Sequence, residues 1–498
     1  MGAGMSWAMV MMLAVSSGQV ELLDCVPTDA YWQKRQVTVT PEAILGLLKA
    51  PAAQPPDIGA MAKELGDSNF QKREAATKKI IDLGPAVLPQ VRPLARSEDP
   101  EVAKRAQQII SALTVGAGAR SVDLLMAIRT LGELKNKEAL PALEKMLDAK
   151  EPFVADYARR AVARINGKAV EPRKPDAKAM REDLLLLPSS CGLVAQMAVR
   201  AQQAVSMEKA IEGLGPLAGG GNKEDIIKKA NEEIISILDR VGNMRLDGIT
   251  LGAADNIGHD TGFVAVVGRG GYDPALVRAV LIESGFKAST IDGLEAITST
   301  TGEHMALVMP SADRIIFMIG PSQEQLPLKE FAAAVKAGKG TLEKNEEMAR
   351  LLKGLETGDT PIWAAAVMSD AYRKAGVLTP FDSITLVSRQ DQGVIKLTVA
   401  ARGKDAEKVQ VAVKEFDDGV AEARKDIGRM VEMMPAMKPA AALLESIKTE
   451  SSGAGATVTA ELKDASPASF LLMFFGTFVA KTSAQAIPAV APAPPVGN

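Results

Sequence analysis

Apolar residues along the first third of the chain recur every three to four positions, the spacing of amphipathic helices. Further on the spacing shifts towards two, the period of strands. Ala76, Ile80 and Leu83 share one helical face, as do Val102, Ala106, Ile109, Ile110 and Leu113, and again Leu124, Ile128 and Leu131. The helical pattern comes twice. Leu88, Pro89, Val91, Leu94, Pro100, Val102, Ala106, Ile110 and Leu113 are each answered 52 residues later, by Leu140, Pro141, Leu143, Met146, Pro152, Val154, Ala158, Val162 and Ile165. Leu83-Gly84 matches Leu131-Gly132 at an offset of 48, so the second copy carries a four-residue insertion. A fixed period of this size predicts a helical repeat array. Asp99-Pro100 and Glu151-Pro152 predict helix starts, because the dipole favours an acid there and the first helical position tolerates proline. Upstream, Thr40-Pro41 predicts another start, followed by a proline-rich linker near 50–56.

Beyond the charged, proline-bearing linker 168–182, strands are expected at 193–199, 248–253, 262–267, 305–309, 314–319, 362–367, 383–387, 394–400 and 457–462. Helices are expected at 223–241, 274–284, 328–337, 342–355 and 406–434. In the last, Val413, Phe416, Val420, Ile427 and Met434 share one face. This region reads as duplicated. Gly192-Leu-Val-Ala-Gln-Met-Ala, Asp247-Gly-Ile-Thr-Leu and Gly262-Phe-Val-Ala-Val-Val precede a helix from Asp273. Pro361-Ile-Trp-Ala-Ala-Ala-Val, Asp382-Ser-Ile-Thr-Leu and Gly393-Val-Ile-Lys-Leu-Thr precede a helix from Asp405. Hairpin turns between consecutive strands predict largely antiparallel sheets with helices on one face, an α+β design.

The second helical copy, Ile128-Arg-Thr-Leu-Gly-Glu-Leu with Ala139-Leu-Pro-Ala-Leu-Glu-Lys-Met-Leu and Glu151-Pro-Phe-Val-Ala-Asp-Tyr-Ala-Arg-Arg-Ala-Val-Ala-Arg-Ile, resembles HEAT-like (armadillo-type) repeats. That family usually carries Asp-x-x-Val-Arg-x-x-Ala on its second helix. Val102-Ala103 and Val154-Ala155 place Ala where the family has Arg. The resemblance implies a short all-α solenoid over about 57–167 that holds a protein partner. The apolar set Phe153, Val154, Tyr157, Ala161, Val162 and Ile165 is wider than one preceding repeat covers. The last helix is therefore expected to pack on the α+β region or on the segment before Pro55.

The whole chain of 498 residues is thus expected to be multidomain: a signal peptide at 1–18, an extension and linker at 19–56, helical repeats at 57–167, and a linker at 168–182. The α+β halves are expected at 183–350 and 351–480, with a disordered Pro/Ala tail at 481–498. The apolar core 7–15 is too short to span a membrane and is followed by small residues, so export to the periplasm, envelope or exterior is expected, with a cytoplasmic location the alternative. The run 470–479 (FLLMFFGTFV) is also shorter than a span. It is expected to close the fold by burial, with peripheral membrane contact the alternative. Cys25 and Cys191 form no disulfide framework, though they could pair in an oxidising compartment.

A net charge of −3 and 4% aromatic residues argue against nucleic acid. Only two histidines occur, His259 in an Asp/Asn/Gly-rich turn and His304 in a second turn signal, so His-based catalysis and zinc are not expected. Val267-Gly-Arg-Gly-Gly-Tyr-Asp-Pro resembles a phosphate loop but puts Asp273 at the helix start, where an N-cap explains it without a ligand. No cofactor or metal is expected. The leading expectation is a non-enzymatic scaffold that binds a protein through its helical repeats, with Lys78, Lys79, Arg159 and Arg160 as the candidate partner face. The alternative is a ligand-binding protein with a pocket between the α+β halves, and third comes an enzyme of unknown type.

Overall fold

A computed structural model describes residues 21–49, 56–84, 87–149, 151–170, 176–198, 223–254, 262–299, 304–320, 326–355, 362–369, 378–391, 394–433 and 438–463. The expected signal segment 1–18, the stretch 50–55, the turn around His259, the apolar run 470–479 and the tail 481–498 lie outside the described residues.

After a 3-10 turn at Leu22–Cys25 come helices Thr28–Lys34 (α1) and Pro41–Lys49 (α2). Thr40 caps α2 as expected, its Oγ1 accepting from the Ala43 N–H at 3.2 Å. Gly59–Glu64 (α3), Phe70–Asp82 (α4), Leu88–Val91 (α5), Pro100–Glu133 (α6), Leu140–Lys145 (α7) and Pro152–Ile165 (α8) follow. Asp99 and Glu151 cap α6 and α8 through their carboxylates, with proline in the first turn of each helix. The faces of Val102–Leu113 and Leu124–Leu131 belong to one helix, as α6 runs unbroken for 34 residues. One glycine there serves close approach rather than a turn: a Cβ on Gly118 would lie 2.8 Å from the Asp239 carbonyl oxygen. Gly132 likewise lets α6 meet α8, where a Cβ would lie 2.8 Å from the Ala161 Cα.

The helical residues divide between two cores that share α6. Ile58, Leu65, Ala76, Ile80, Val91, Ile109 and Leu113 form one. Leu125, Ile128, Leu131, Phe153, Tyr157 and Ile165 belong to another, with Leu23, Tyr31, Trp32 and Ile44 from the N-terminal segment and Ile234 and Leu238 from the helix Lys223–Val241 (introduced below as α10). The stretch 19–56, expected as an extension, therefore supplies core over its described part. The α8 helix packs on both surfaces anticipated for it. Tyr157 donates to Asp24 at 3.1 Å, and Phe153 lies under the Arg245 guanidinium at 5.4 Å.

Ala177–Leu184 (α9) leads into the mixed α+β part: Cys191–Ala198 (β1), Lys223–Val241 (α10), Arg245–Ala254 (β2), Val264–Gly271 (β3), Pro274–Glu283 (α11), Lys287–Ile291 (β4), Leu294–Thr298 (β5), His304–Ser311 (β6), Arg314–Gly320 (β7), Leu328–Ala337 (α12), Glu346–Lys353 (α13), Ile362–Val367 (β8), Phe381–Asp391 (β9), Val394–Gly403 (β10), Ala406–Met433 (α14), Lys438–Ser446 (α15), Lys448–Ser452 (β11) and Gly455–Lys463 (β12). Among the described residues, twelve strands form one antiparallel sheet in the order β11-β12-β10-β9-β8-β1-β2-β3-β7-β6-β5-β4. The sheet is continuous across 183–350 and 351–480 through the β1·β8 pair.

The pairings on the two sides of that junction follow one path. Ala195 faces Leu251, then Val266, then Phe317. Ala364 faces Leu386, then Val399, then Val458. Ala195 and Ala364 face each other across the junction. These are the positions that the paired motifs align, except that Val266 answers to Val399 rather than Leu397. That two-residue shift keeps the face, since strand side chains alternate with period two. Helices were expected on one face, but they lie on both. On the first face, Leu184 of α9, Phe331 of α12 and Met348 of α13 pack with Val194, Val267, Ile316, Met318 and Trp363. On the second, Val409 and Ala412 of α14 pack with Ala456 and Ile384, Leu443 of α15 packs with Leu397 and Ala460, and Val277 and Val280 of α11 share a core with Met309 and Ile315.

Candidate functional site

Residues directly opposite in an antiparallel pair point to the same face. The register therefore gives the composition of each face. On the second face one row crosses ten strands as Val458, Val399, Leu386, Ala364, Ala195, Leu251, Val266, Phe317, Leu307 and Ile297. A second row reads Ala456, Ala401, Ile384, Ala366, Leu193, Ala253, Val264, Ile319 and Met305. A third reads Ala460, Leu397, Ser388, Ile362, Met197, Ile249, Gly268 and Ile315. Ser388 is the one polar side chain in all three rows.

Both ends of this face are covered, by α14 and α15 over β9, β10 and β12 and by α11 beyond β7. The middle differs. Leu193, Ala195, Met197, Ile249, Leu251, Val264, Val266, Met305, Leu307, Phe317, Ile319, Ala364 and Ala366 are half-buried, while their neighbours on the opposite face are buried except at the strand ends Ala198, His304, Gly320 and Val367. Among the described residues, none of the thirteen joins a hydrophobic core. The result is an apolar trough with a sheet floor and helices at either end. Six strands and three rows give about 29 Å by about 20 Å, on the order of 600 Å². That is at the upper end of the apolar patches that monomers expose.

The trough has no hydrogen-bonding chemistry in its middle, and the polar groups are gathered elsewhere. The N-terminal segment is tied down by a buried ionic knot. Arg160 donates to Glu21 at 3.3 Å and to Asp24 at 2.5 Å, Asn243 donates to Glu21 at 3.2 Å, and Arg129 donates to the Leu23 and Val26 carbonyls. Burial, then the Asp24 carboxylate, push the Glu21 carboxyl above its ordinary range, against the pull of Arg160. Burial and the same acids push the Tyr157 phenol up. A second knot joins Arg35 to Asp123 at 2.9 Å and to Asp239, linking α1, α6 and α10. A third holds Asp183 between Arg269, in a two-pronged contact at 2.6 Å, and Arg314 at 2.8 Å. All three knots join elements to each other, and their carboxylates are already engaged. A separate cleft of 670 Å³ between α1 and α10 is lined by Gln33, Lys34, Lys228, Asn231 and Glu232 over Ile227 and Ile235.

The four basic residues expected to form a partner face are not brought together as a set. Lys78 and Lys79 are exposed on α4, beside the first helical core. Arg159 is exposed on α8, whereas Arg160, one residue on, turns inward to Glu21 and Asp24 and stacks on Tyr157 at 4.5 Å. Cys25 and Cys191 are buried in different cores and are not joined to each other. Asp273 caps α11 as expected, accepting from the Ala275 and Leu276 N–H groups. Among the described residues no group of three His, Cys, Asp or Glu side chains could hold a metal ion, and no helix is long and apolar enough to cross a membrane.

No family model matches the chain, and no characterised protein matches it by sequence. Among solved structures, crystal forms I, IV and III of TP0453 are similar to it with TM-scores of 0.32, 0.31 and 0.30 and identities of 11%, 12% and 12%. The likeness covers 60%, 59% and 62% of this chain and 96%, 95% and 99% of TP0453. It is too distant to establish a shared fold or function.

Proposed function

We propose that this chain is a non-enzymatic binding protein that holds an elongated apolar guest, the acyl chain of an amphiphile, in the trough at the β1·β8 junction. The observation that carries this reading is the row composition: three adjacent rows across the junction with Ser388 as their one polar side chain. A protein partner would bring about one hydrogen bond per 100–200 Å² of interface, and the floor offers almost nothing to receive them. An acyl chain makes no such demand. The recurrent pairing path supports a duplicated origin for the two half-sheets, whose seam lies at one edge of the trough. Binding between the halves was the alternative reading of the sequence. The expected signal at 1–18 would put it in the envelope or outside the cell. The scaffold reading, with HEAT-like repeats as its surface, keeps one observation in its favour: Phe70 is 61% exposed on α4, the helix that carries Lys78 and Lys79.

The test is titration of the full chain with a fluorescent fatty acid. Saturable binding is expected, and Leu251→Asp with Val266→Asp should weaken it at least about tenfold, equivalent to about 1.4 kcal/mol. Val411→Asp, on the exposed side of α14, should leave it unchanged. Equal affinity in both variants, with unchanged circular dichroism, would refute the trough as the binding surface.

A further inference from the structure

We infer that the cleft between α1 and α10 is a second binding site, for a short peptide with a free carboxyl terminus. No residue of either helix lines the trough, and the inference does not rest on the acyl-chain reading. It starts from a buried polar atom. Among the described residues, three side-chain nitrogen or oxygen atoms are buried without a hydrogen-bond partner: Trp363 Nε1, Arg314 Nε and Asn231 Oδ1. Trp363 lies in the sheet core, and Arg314 Nε still stands 2.8 Å from the Asp183 carboxylate. Asn231, 8% exposed, is the one of the three that lines the cleft. A buried acceptor without a donor is destabilising, so its presence in a native chain calls for a reason. A ligand seated in the cleft can supply the donor, with at most a half-turn of the amide.

The charges around Asn231 are unspent as well. Lys228 and Glu232 stand one turn apart on α10 and form no ion pair among the described residues. Lys34 of α1 donates only to the Glu232 carbonyl oxygen, at 3.4 Å. In the three ionic knots, by contrast, every carboxylate is engaged. Between these groups, Ile235, 1% exposed, and half-buried Ile227 line the cleft with apolar surface. A peptide meets this set group by group. An Asn amide and a peptide group are complementary, since the side-chain oxygen accepts the peptide N–H and the side-chain NH2 donates to the peptide carbonyl. Lys34 and Lys228, on the two helices, suit a carboxylate, and Glu232 suits an ammonium group. Ile227 and Ile235 suit an apolar side chain. The volume of 670 Å³ falls within the range of small-ligand sites. A nucleobase would call for an aromatic platform, and no aromatic residue lines the cleft. A fatty acid would leave the Asn231 amide unmet.

The experiment is calorimetric titration of the full chain with the tripeptide Ala-Leu-Ala. Saturable binding of one peptide per chain is expected. The same tripeptide with an amidated carboxyl terminus should bind at least about tenfold more weakly, and so should triglycine, which lacks the apolar side chain. Asn231→Leu keeps the size of the side chain and removes the orphaned oxygen. It should weaken binding about tenfold while leaving the melting temperature unchanged or raised. Lys228→Gln, at an exposed position, should weaken binding by a similar factor, whereas Lys425→Gln, exposed on α14, should leave it unchanged.

No saturation up to about 1 mM tripeptide would overturn the site. Equal affinity for the carboxylate and amide forms would overturn the role given to the two lysines, and with it the free carboxyl terminus. Binding untouched by both Asn231→Leu and Lys228→Gln would place the peptide elsewhere on the chain. A raised melting temperature in Asn231→Leu with unchanged binding would likewise overturn the inference, leaving Asn231 as a polar group buried without a ligand's help.

Discussion

Glu21 is the residue whose environment has the clearest measurable consequence. It is 4% exposed and is held between Arg160 and Asn243, beside Asp24. Burial raises its pKa in the folded chain, so the folded state binds the proton more tightly than the unfolded state does. Its contribution to stability is full below the unfolded value, near the ordinary carboxylate range, and is lost as pH rises through the raised folded value. Glu21→Gln keeps hydrogen-bonding atoms at the site and removes the titration. The variant should therefore gain on the natural chain as pH rises from about 4 to about 8. Melting temperatures of both proteins across that range check this, and a difference that stays constant with pH would show that Glu21 does not titrate in the folded state as argued. The inward turn of Arg160 belongs to the same knot. Nothing in the pattern around Arg159-Arg160 distinguishes the two, because the acids that capture Arg160 come from 136 and more residues upstream.

At the scale of elements, Gly118 sets how closely α6 and α10 approach. Ala is the better helix former by about 1 kcal/mol, so an exposed Gly→Ala change inside a helix would stabilise. Here the added Cβ meets backbone, the Asp239 carbonyl oxygen at 2.8 Å and the Gly242 nitrogen at 3.2 Å, and backbone cannot rotate away. The clash, about 1–3 kcal/mol, should outweigh propensity, so Gly118→Ala should lower the denaturation midpoint. A raised midpoint would mean that the helices have slack. The role of this glycine was not legible in the sequence, since only the neighbouring helix reveals that it stands at a contact. Strands with strong alternation, such as Arg314–Gly320 and Val394–Gly403, were legible. Lys287–Ile291, Leu294–Thr298 and Lys448–Ser452 were not, because Lys-Ala-Ser-Thr-Ile and Lys-Thr-Glu-Ser-Ser offer too few apolar residues to show a period. A signal for the first pair was nonetheless present. Asp292 and Gly293 both adopt positive φ, 48° and 80°, the Asp-Gly turn that joins tight hairpins. The trough could not be read from the sequence. Val194 and Leu193 look alike in the chain, and only the packing of α9, α12 and α13 decides which of the two faces is covered.

For the whole molecule, the partition into cores implies that stability is not uniform. The core around Ile58, Ile80 and Ile109 draws on residues 58–113 alone and shares α6 with its neighbour. The neighbouring core is built from segments as far apart as Leu22 and Val280. Ile80→Ala should cost about 2–5 kcal/mol within the first core. Because Trp363 lies in the sheet core, its emission should keep its own unfolding midpoint in that variant. The readout is denaturant unfolding of a Trp7→Phe, Trp32→Phe background followed by fluorescence and by circular dichroism. If both signals shift together, the cores unfold as one unit.

The order of the sheet carries a last consequence. Its two halves are joined strand to strand at β1·β8, so this architecture already contains one edge-to-edge fusion of similar sheets, and the same geometry could repeat without limit between molecules. Growth of that kind would turn separate chains into a filament. The outermost strands, β4 and β11, are five residues long, begin with Lys287 and Lys448, and are largely solvent-facing. Short, charged outer strands are poor templates for a further strand. The weak apolar content that hid these two strands from pattern reading thus also makes them poor edges for further growth of the described sheet.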